Sequence, residues 1–241
     1  MASTCFRRSH FCLFDKKERM LICMKLEFIP LYEVFEKYKG GCPICKIIKD
    51  EEKSYCEHLF EDEVLKNPEM YVKIREANFC HYHLELLNNS YDKLGLAIAL
   101  KANISYKLQQ ITDKSKSLKK KRGKETKNKC LICDYLSERD KYHMHILIDI
   151  LHADKDFAER HIEGLSRLCF HHLNMLMETA KDVTPQIEKI FKINEAAIEK
   201  NINDLEWFIT KFDYRFQDEP WYESKDSIER ALKLLQGGYY D

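Results

Sequence analysis

Phe79-Cys80-His81-Tyr82-His83-Leu84-Glu85-Leu86-Leu87 is the stretch on which the fold turns, because the chain writes it a second time. The copy is Leu168-Cys169-Phe170-His171-His172-Leu173-Asn174-Met175-Leu176, at an offset of 89 residues. In both, the apolar residues fall at helical spacing, so each reads as the start of an amphipathic helix with a Cys-x-x-His pair in its first turn. Upstream, Cys42-Pro-Ile-Cys45 is answered by Cys130-Leu-Ile-Cys133 at an offset of 88. Self-similarity at a fixed period marks a duplicated unit. The ten cysteines of this chain, placed at random, would give about 0.4 Cys-x-x-Cys pairs. Two such pairs, each followed by Cys-x-x-His after gaps of 34 and 35 residues, are therefore a pattern and not an accident.

The rest of the chain fits helices. Seven Gly and five Pro in 241 residues, with 33% charged and 44% apolar residues, suit long amphipathic helices and exclude a turn-rich all-β fold. Pro30 and Gly40-Gly41 bracket a helix over 30–39, and a second is expected from Pro43 to Leu65 with Ile44, Ile47, Ile48, Tyr55, Leu59 and Phe60 inward. Asn67-Pro68 caps a short helix, and a long one is expected from His81 to Ile111. Residues 113–129, with nine Lys or Arg and two acids, read as a solvated tether rather than a nucleic-acid contact. Thr184-Pro185 starts a final long helix whose expected core stripe is Ile187, Phe191, Ile198, Ile202, Leu205, Ile209 and Phe212. Trp207, Phe212, Tyr214, Phe216 and Trp221 pack its end, and Asp226 and Glu229 can cap a last helix through Leu235.

Forty Lys and Arg against forty Asp and Glu leave no global field to draw the chain onto nucleic acid or an anionic membrane. No run of 18 apolar residues is present to span a bilayer. Residues 1–23 carry Arg7, Arg8, Lys16, Lys17 and Arg19, but the apolar stretch Phe11 to Phe14 is too short for a secretion signal. They are expected to be disordered or outside the fold, which then begins at Met24 and leaves Cys5, Cys12 and Cys23 as bystanders. Without an export signal the expected compartment is a reducing cytoplasm, where grouped cysteines bind metal or do redox work.

Zinc takes four N or S ligands in a tetrahedron, and a Cys-x-x-Cys turn supplies half of them. The nearest Cys-x-x-His completes each set, giving Cys42, Cys45, Cys80 and His83 for one site and Cys130, Cys133, Cys169 and His172 for the other. Four protein ligands leave no open position for catalysis, so two structural zinc ions per chain are expected. A dithiol switch ranks second and an iron–sulfur cluster third. His81 and His171 are expected to be exposed or to support the ligands, and Cys56 and His58 to have core or surface roles.

The opening Pro30-Leu-Tyr-Glu-Val-Phe35, the paired Cys/His half-sites and the tail Glu206-Trp-Phe-Ile-Thr-Lys-Phe-Asp-Tyr-Arg215, with Glu219-Pro-Trp221 and Ser224-Lys-Asp226, resemble a bacterial family known only as a domain of unknown function. The likeness runs from Met24 to Leu235 and implies a helical cytoplasmic protein without an established activity. Members of that family sometimes carry the label of ABC transporter substrate-binding protein, which would call for an export signal and an α/β cleft that this sequence lacks.

The expectation is thus an all-α protein of two duplicated zinc-anchored units, 24–112 and 130–183, joined by the linker 113–129 and followed by a helical extension over 184–241. Its expected role is a non-enzymatic scaffold or adaptor for a protein partner, with a thiol-based redox sensor or oxidoreductase on the Cys-x-x-Cys pairs as the alternative.

Overall fold

The computed structural model describes residues 10–13, 22–89, 92–116, 129–162 and 167–235. Among these it is all-α apart from one antiparallel ribbon, in which His10–Leu13 pairs with Ile22–Lys25 and His10 stands opposite Lys25. Eleven α-helices follow: α1 (Ile29–Lys37), α2 (Pro43–His58), α3 (Asp62–Lys66), α4 (Pro68–Glu76), α5 (His81–Asn88), α6 (Lys93–Lys116), α7 (Leu131–Ala153), α8 (Phe157–His161), α9 (Phe170–Thr179), α10 (Pro185–Thr210) and α11 (Ser227–Leu235). No described helix is long and apolar enough to cross a membrane. Most of residues 1–23, and residues 117–128 of the expected tether, lie outside the described residues.

Backbone contacts divide the chain elsewhere than at the expected repeat boundaries. One compact unit is continuous, Ile48–Arg139; the other is assembled from residues up to Ile47 and from Asp140 onward. The dividing points fall inside α2 and α7.

Within the continuous unit, two expected helices are each interrupted. The second helix stops at His58, and Leu59 and Phe60 turn inward, 2% and 1% exposed, before Asp62 and Glu63 place negative charge in the first turn of α3. The expected helix over His81–Ile111 breaks into α5 and α6, because Asp92 caps a new start by accepting from the Gly95 N–H at 2.8 Å. Gly95 is needed there, since a Cβ would collide with the Phe60 carbonyl oxygen. Asn67 caps α4 as expected, its side chain accepting from the Glu69 and Met70 N–H groups at 3.0 and 3.1 Å. The far end of α4 packs on α6, where buried Asn103 donates to the carbonyls of Ile74, Arg75 and Ala77 at 3.1, 3.0 and 2.8 Å. The Arg75 and Ala77 carbonyls stand at the helix end, which leaves its last carbonyls without intrahelical partners.

In the discontinuous unit, Phe35 and Tyr32 of α1 meet Phe157 of α8 edge-on, with centroids 5.1 and 5.0 Å apart. Tyr32 also donates to Asp154 at 2.7 Å. Thr184 caps α10 through the Ile187 N–H, but the stripe that α10 buries is not the expected one. Ile187 is buried, whereas Ile202, Ile209 and Phe212 are 49%, 69% and 74% exposed. The buried face is Ile187, Ile190, Asn194, Ala197 and Asn201, rotated by about 60° from the expected one at 100° per residue. Periodicity of apolar residues cannot see a core contact made by two asparagines and an alanine. At the end of α10, Trp207 and Phe208 reach Phe216, Tyr222 and Trp221. Lys211 is 5% exposed and ties the turn by donating to the carbonyls of Phe216, Gln217 and Glu219. Tyr214, expected in this packing, is 81% exposed.

Candidate metal centres

All four half-sites are built alike. In each, the first cysteine precedes a helix and its carbonyl accepts the first intrahelical bond, from Lys46, Leu84, Asp134 and Leu173 for Cys42, Cys80, Cys130 and Cys169 respectively. The partner, Cys45, His83, Cys133 or His172, sits one turn on. Both donors therefore lie at a helix N-terminus, where free N–H groups and the helix dipole favour thiolate charge.

The structure brings these eight residues together, but in the opposite pairing to the expected one. Cys42 and Cys45 of α2 meet Cys169 and His172 at α9, and Cys130 and Cys133 at α7 meet Cys80 and His83 at α5. Each cluster lies wholly within one of the two units. Nearness in sequence was a weak guide, because closure entropy grows only with the logarithm of loop length. Lengthening the gap from 34 residues to the 123 between Cys45 and Cys169 costs about 1 kcal/mol. A backbone bridge decides the α5 cluster locally: the Leu131 N–H donates to the Asn78 carbonyl at 3.0 Å, laying the start of α7 beside the start of α5.

In the α9 cluster, the His172 Nδ1 lies 3.3, 3.4 and 3.0 Å from the sulfurs of Cys42, Cys45 and Cys169, and the Cys45 and Cys169 sulfurs are 3.5 Å apart. In the α5 cluster, the His83 Nδ1 lies 3.0, 3.4 and 3.4 Å from Cys80, Cys130 and Cys133, with Cys80 and Cys133 at 3.9 Å. A tetrahedral ion with Zn–S near 2.3 Å and Zn–N near 2.0 Å calls for S···N edges of about 3.5 Å and S···S edges of about 3.8 Å. The donor sets fit such an ion to within about half an ångström. Ligands of an iron–sulfur cluster stand on separate irons and spread wider.

Behind each imidazole stands a carboxylate that the motif reading missed. The His172 Nε2 lies 2.7 Å from Asp140 Oδ1, and His171 Nε2 lies 3.0 Å from Asp140 Oδ2. The His83 Nε2 lies 3.1 Å from Glu52 Oε1, and the Tyr82 hydroxyl donates to Glu52 Oε2 at 3.3 Å. Asp140 and Glu52 are 1% and 8% exposed. Glu52 follows Cys45 by seven residues and Asp140 follows Cys133 by seven, so the two acids stand at the same offset of 88 as the cysteine pairs. Each acid serves the cluster that its own helix's cysteines do not join: α2 gives thiols to one and a carboxylate to the other, and α7 does the reverse.

The charges follow from these contacts. Burial opposes a charged ring at His172, but the Cys42 sulfur and Asp140 outweigh it and raise its pKa well above the ordinary value. Burial likewise opposes charge on Asp140, and His172 and then His171 outweigh it, holding the carboxyl below its usual range. Hydrogen bonds from Cys42 and Cys45 draw the Cys169 thiol down, while those with Cys169 and Cys42 push Cys45 up. In the other cluster, burial is outweighed by His83 and backbone N–H groups, bringing Cys130 down to about 6. His83 rises to about 10 against burial, through Cys130 and Glu52, and Cys133 is pushed up by burial and by Cys130.

His81 is exposed beside Glu85, and His171 is half-buried on Asp140, so the two neighbouring histidines have different fates. Cys56 is buried and His58 is exposed, its ring on the Ser54 carbonyl; neither joins a cluster. A model for a family of unknown function, DUF6062, matches residues 23–241, one residue before the start expected from the sequence likeness. No curated protein and no solved structure gives a match.

Proposed function

The chain belongs to that family, and because membership brings no activity with it, we propose from the geometry that this is a non-enzymatic helical scaffold or adaptor held together by two structural zinc ions. One observation carries the reading. A buried carboxylate on the Nε2 of His172, and another on that of His83, turns each Nδ1 toward three sulfurs, which is how a metal-ligating imidazole is oriented. Three thiolates and an imidazole at single-ion spacing suit zinc, whose charge would replace that of the imidazolium proton. With four protein donors the ion's contribution is folding energy. The adaptor half of the reading is supported by exposed Leu94, Ile98, Ile104, Leu108 and Ile111 along α6, apolar area of the kind a protein partner covers.

A second reading, a thiol switch at Cys130 and Cys133, is favoured by the lowered pKa of Cys130 at a helix start. Elemental analysis of protein purified without added metal or chelator, with a free-thiol count and circular dichroism, separates the two. The scaffold requires two zinc ions per chain, lost together with helicity on chelation and retained under mild oxidant. Metal near zero with thiols missing from the count would replace it with the switch.

A further inference from the structure

The unit that holds the α9 cluster also carries a small pocket, open to solvent and lined by Cys42, Arg167, Asn201, Arg230 and Lys233 among others. Its cations are not equally satisfied. Arg230 is fully engaged: Nη1 donates to Asp204 at 2.9 Å, Nε to Asp226 at 3.1 Å and Nη2 to the Glu223 carbonyl at 2.6 Å. Lys233 pairs with Glu229 at 2.8 Å. Arg167 makes no hydrogen bond or ion pair with any described residue, and its Nε is buried without a partner. Buried polar groups are almost always bonded, and a guanidinium cannot escape the demand by losing its proton. A guanidinium that no described residue pairs, lining a pocket beside two further cations, amounts to a demand for an anion.

We propose that this cavity binds a small oxyanion, the phosphate or carboxylate group of a low-molecular-weight ligand. Arg167 supplies the planar fork that matches two oxygens of such a group. Arg230 and Lys233 add positive field, while their own counter-ions are already placed. The proposal is independent of which metal the neighbouring cluster takes.

Equilibrium dialysis of the metal-loaded 241-residue chain against labelled phosphate and labelled malonate tests it. One saturable site per chain is expected for at least one probe, weakened tenfold or more by Arg167→Gln and unchanged by Lys192→Gln, an equal charge loss at an exposed position of α10. Tighter phosphate would indicate a phosphate ester as ligand and tighter malonate a carboxylate. Asn201→Asp places a carboxylate inside the cavity and should abolish binding while raising the melting temperature, so lost binding there cannot be put down to misfolding. Unsaturable binding, an Arg167→Gln chain that binds like the parent, or equal loss in Lys192→Gln would each overturn the assignment.

Discussion

The α9 and α5 clusters present the same donors, three cysteine sulfurs and one imidazole Nδ1, and differ in what stands behind them. Three of the four donors at α9 are buried, against two of four at α5. Asp140 is short and holds two imidazoles at 2.7 and 3.0 Å, whereas the longer Glu52 holds an imidazole and a phenol at 3.1 and 3.3 Å. With the coordinating atoms equal, any difference in how the two sites keep a metal must come from this support and from burial. The α9 site is expected to be the slower to release.

The largest effect comes from removing a ligand. Cys169→Ser and Cys80→Ser should each cut the metal from two ions per chain to one, and each should melt the helices of its own unit, since structural zinc sites supply on the order of 10 kcal/mol to small domains. A Cys169→Ser protein that kept both ions and full helicity would end the reading of this cluster as structural. Chelator added to the parent protein should then draw out zinc in two phases, of which Cys80→Ser abolishes the faster; losing the slower phase instead would reverse the ranking. Asp140→Asn and Glu52→Gln are expected to weaken their sites by about 10- to 100-fold, with Asp140→Asn the larger, measured by competition with a zinc indicator.

Acid sharpens the same contrast. Zinc needs thiolates and a neutral imidazole, so both sites empty as pH falls. The folded pKa of Asp140 is depressed, so its contribution is complete above its unfolded value of about 3.9 and is lost only as pH falls through the lower folded value. Asp140→Asn should therefore release its zinc at a higher pH than the parent, with an offset that does not shrink between pH 8 and pH 5. An offset that closed within that window would mean that Asp140 titrates there. The smallest effects belong to the outer partners. Tyr82→Phe and His171→Phe should each cost a few-fold in affinity, at about 1 kcal/mol per hydrogen bond, with His171→Phe the greater.

Much of this was legible in the sequence, though not evenly. The eight donors announce themselves because Cys and His are scarce and their spacing recurs. Asp140 and Glu52 recur at the same offset, yet two acids among forty carry no signal until the repeats are aligned on their cysteines. The pairing was not legible, because spacing constrains a half-site but says little about which distant half-site meets it. The stripe of α10 misled for another reason: Asn194 turns its amide Nδ2 back onto its own helix, donating to the Ile190 carbonyl at 2.7 Å, and so serves as a core residue that no hydropathy pattern flags. The tail carrying the most specific likeness proves to be a turn tied by Lys211. There the aromatics were recognisable and the buried lysine that organises them was not.

The crossed pairing also bears on the order in which a growing chain can acquire its ions. Once His83 has emerged during synthesis, Cys42, Cys45, Cys80 and His83 already form a complete Cys₃His set, the very one that sequence proximity suggests. The correct partners of Cys80 and His83 begin 47 residues later at Cys130, a delay of several seconds at about 5–20 residues per second. On the zinc reading, free metal in that interval is a hazard, able to fasten the nascent chain into the wrong connection before the right one exists. When Cys133 is in place the continuous unit can close on its own, and its closing withdraws Cys80 and His83 from competition, leaving Cys42 and Cys45 to wait for Cys169 and His172. Such a chain is served best by metal that arrives late.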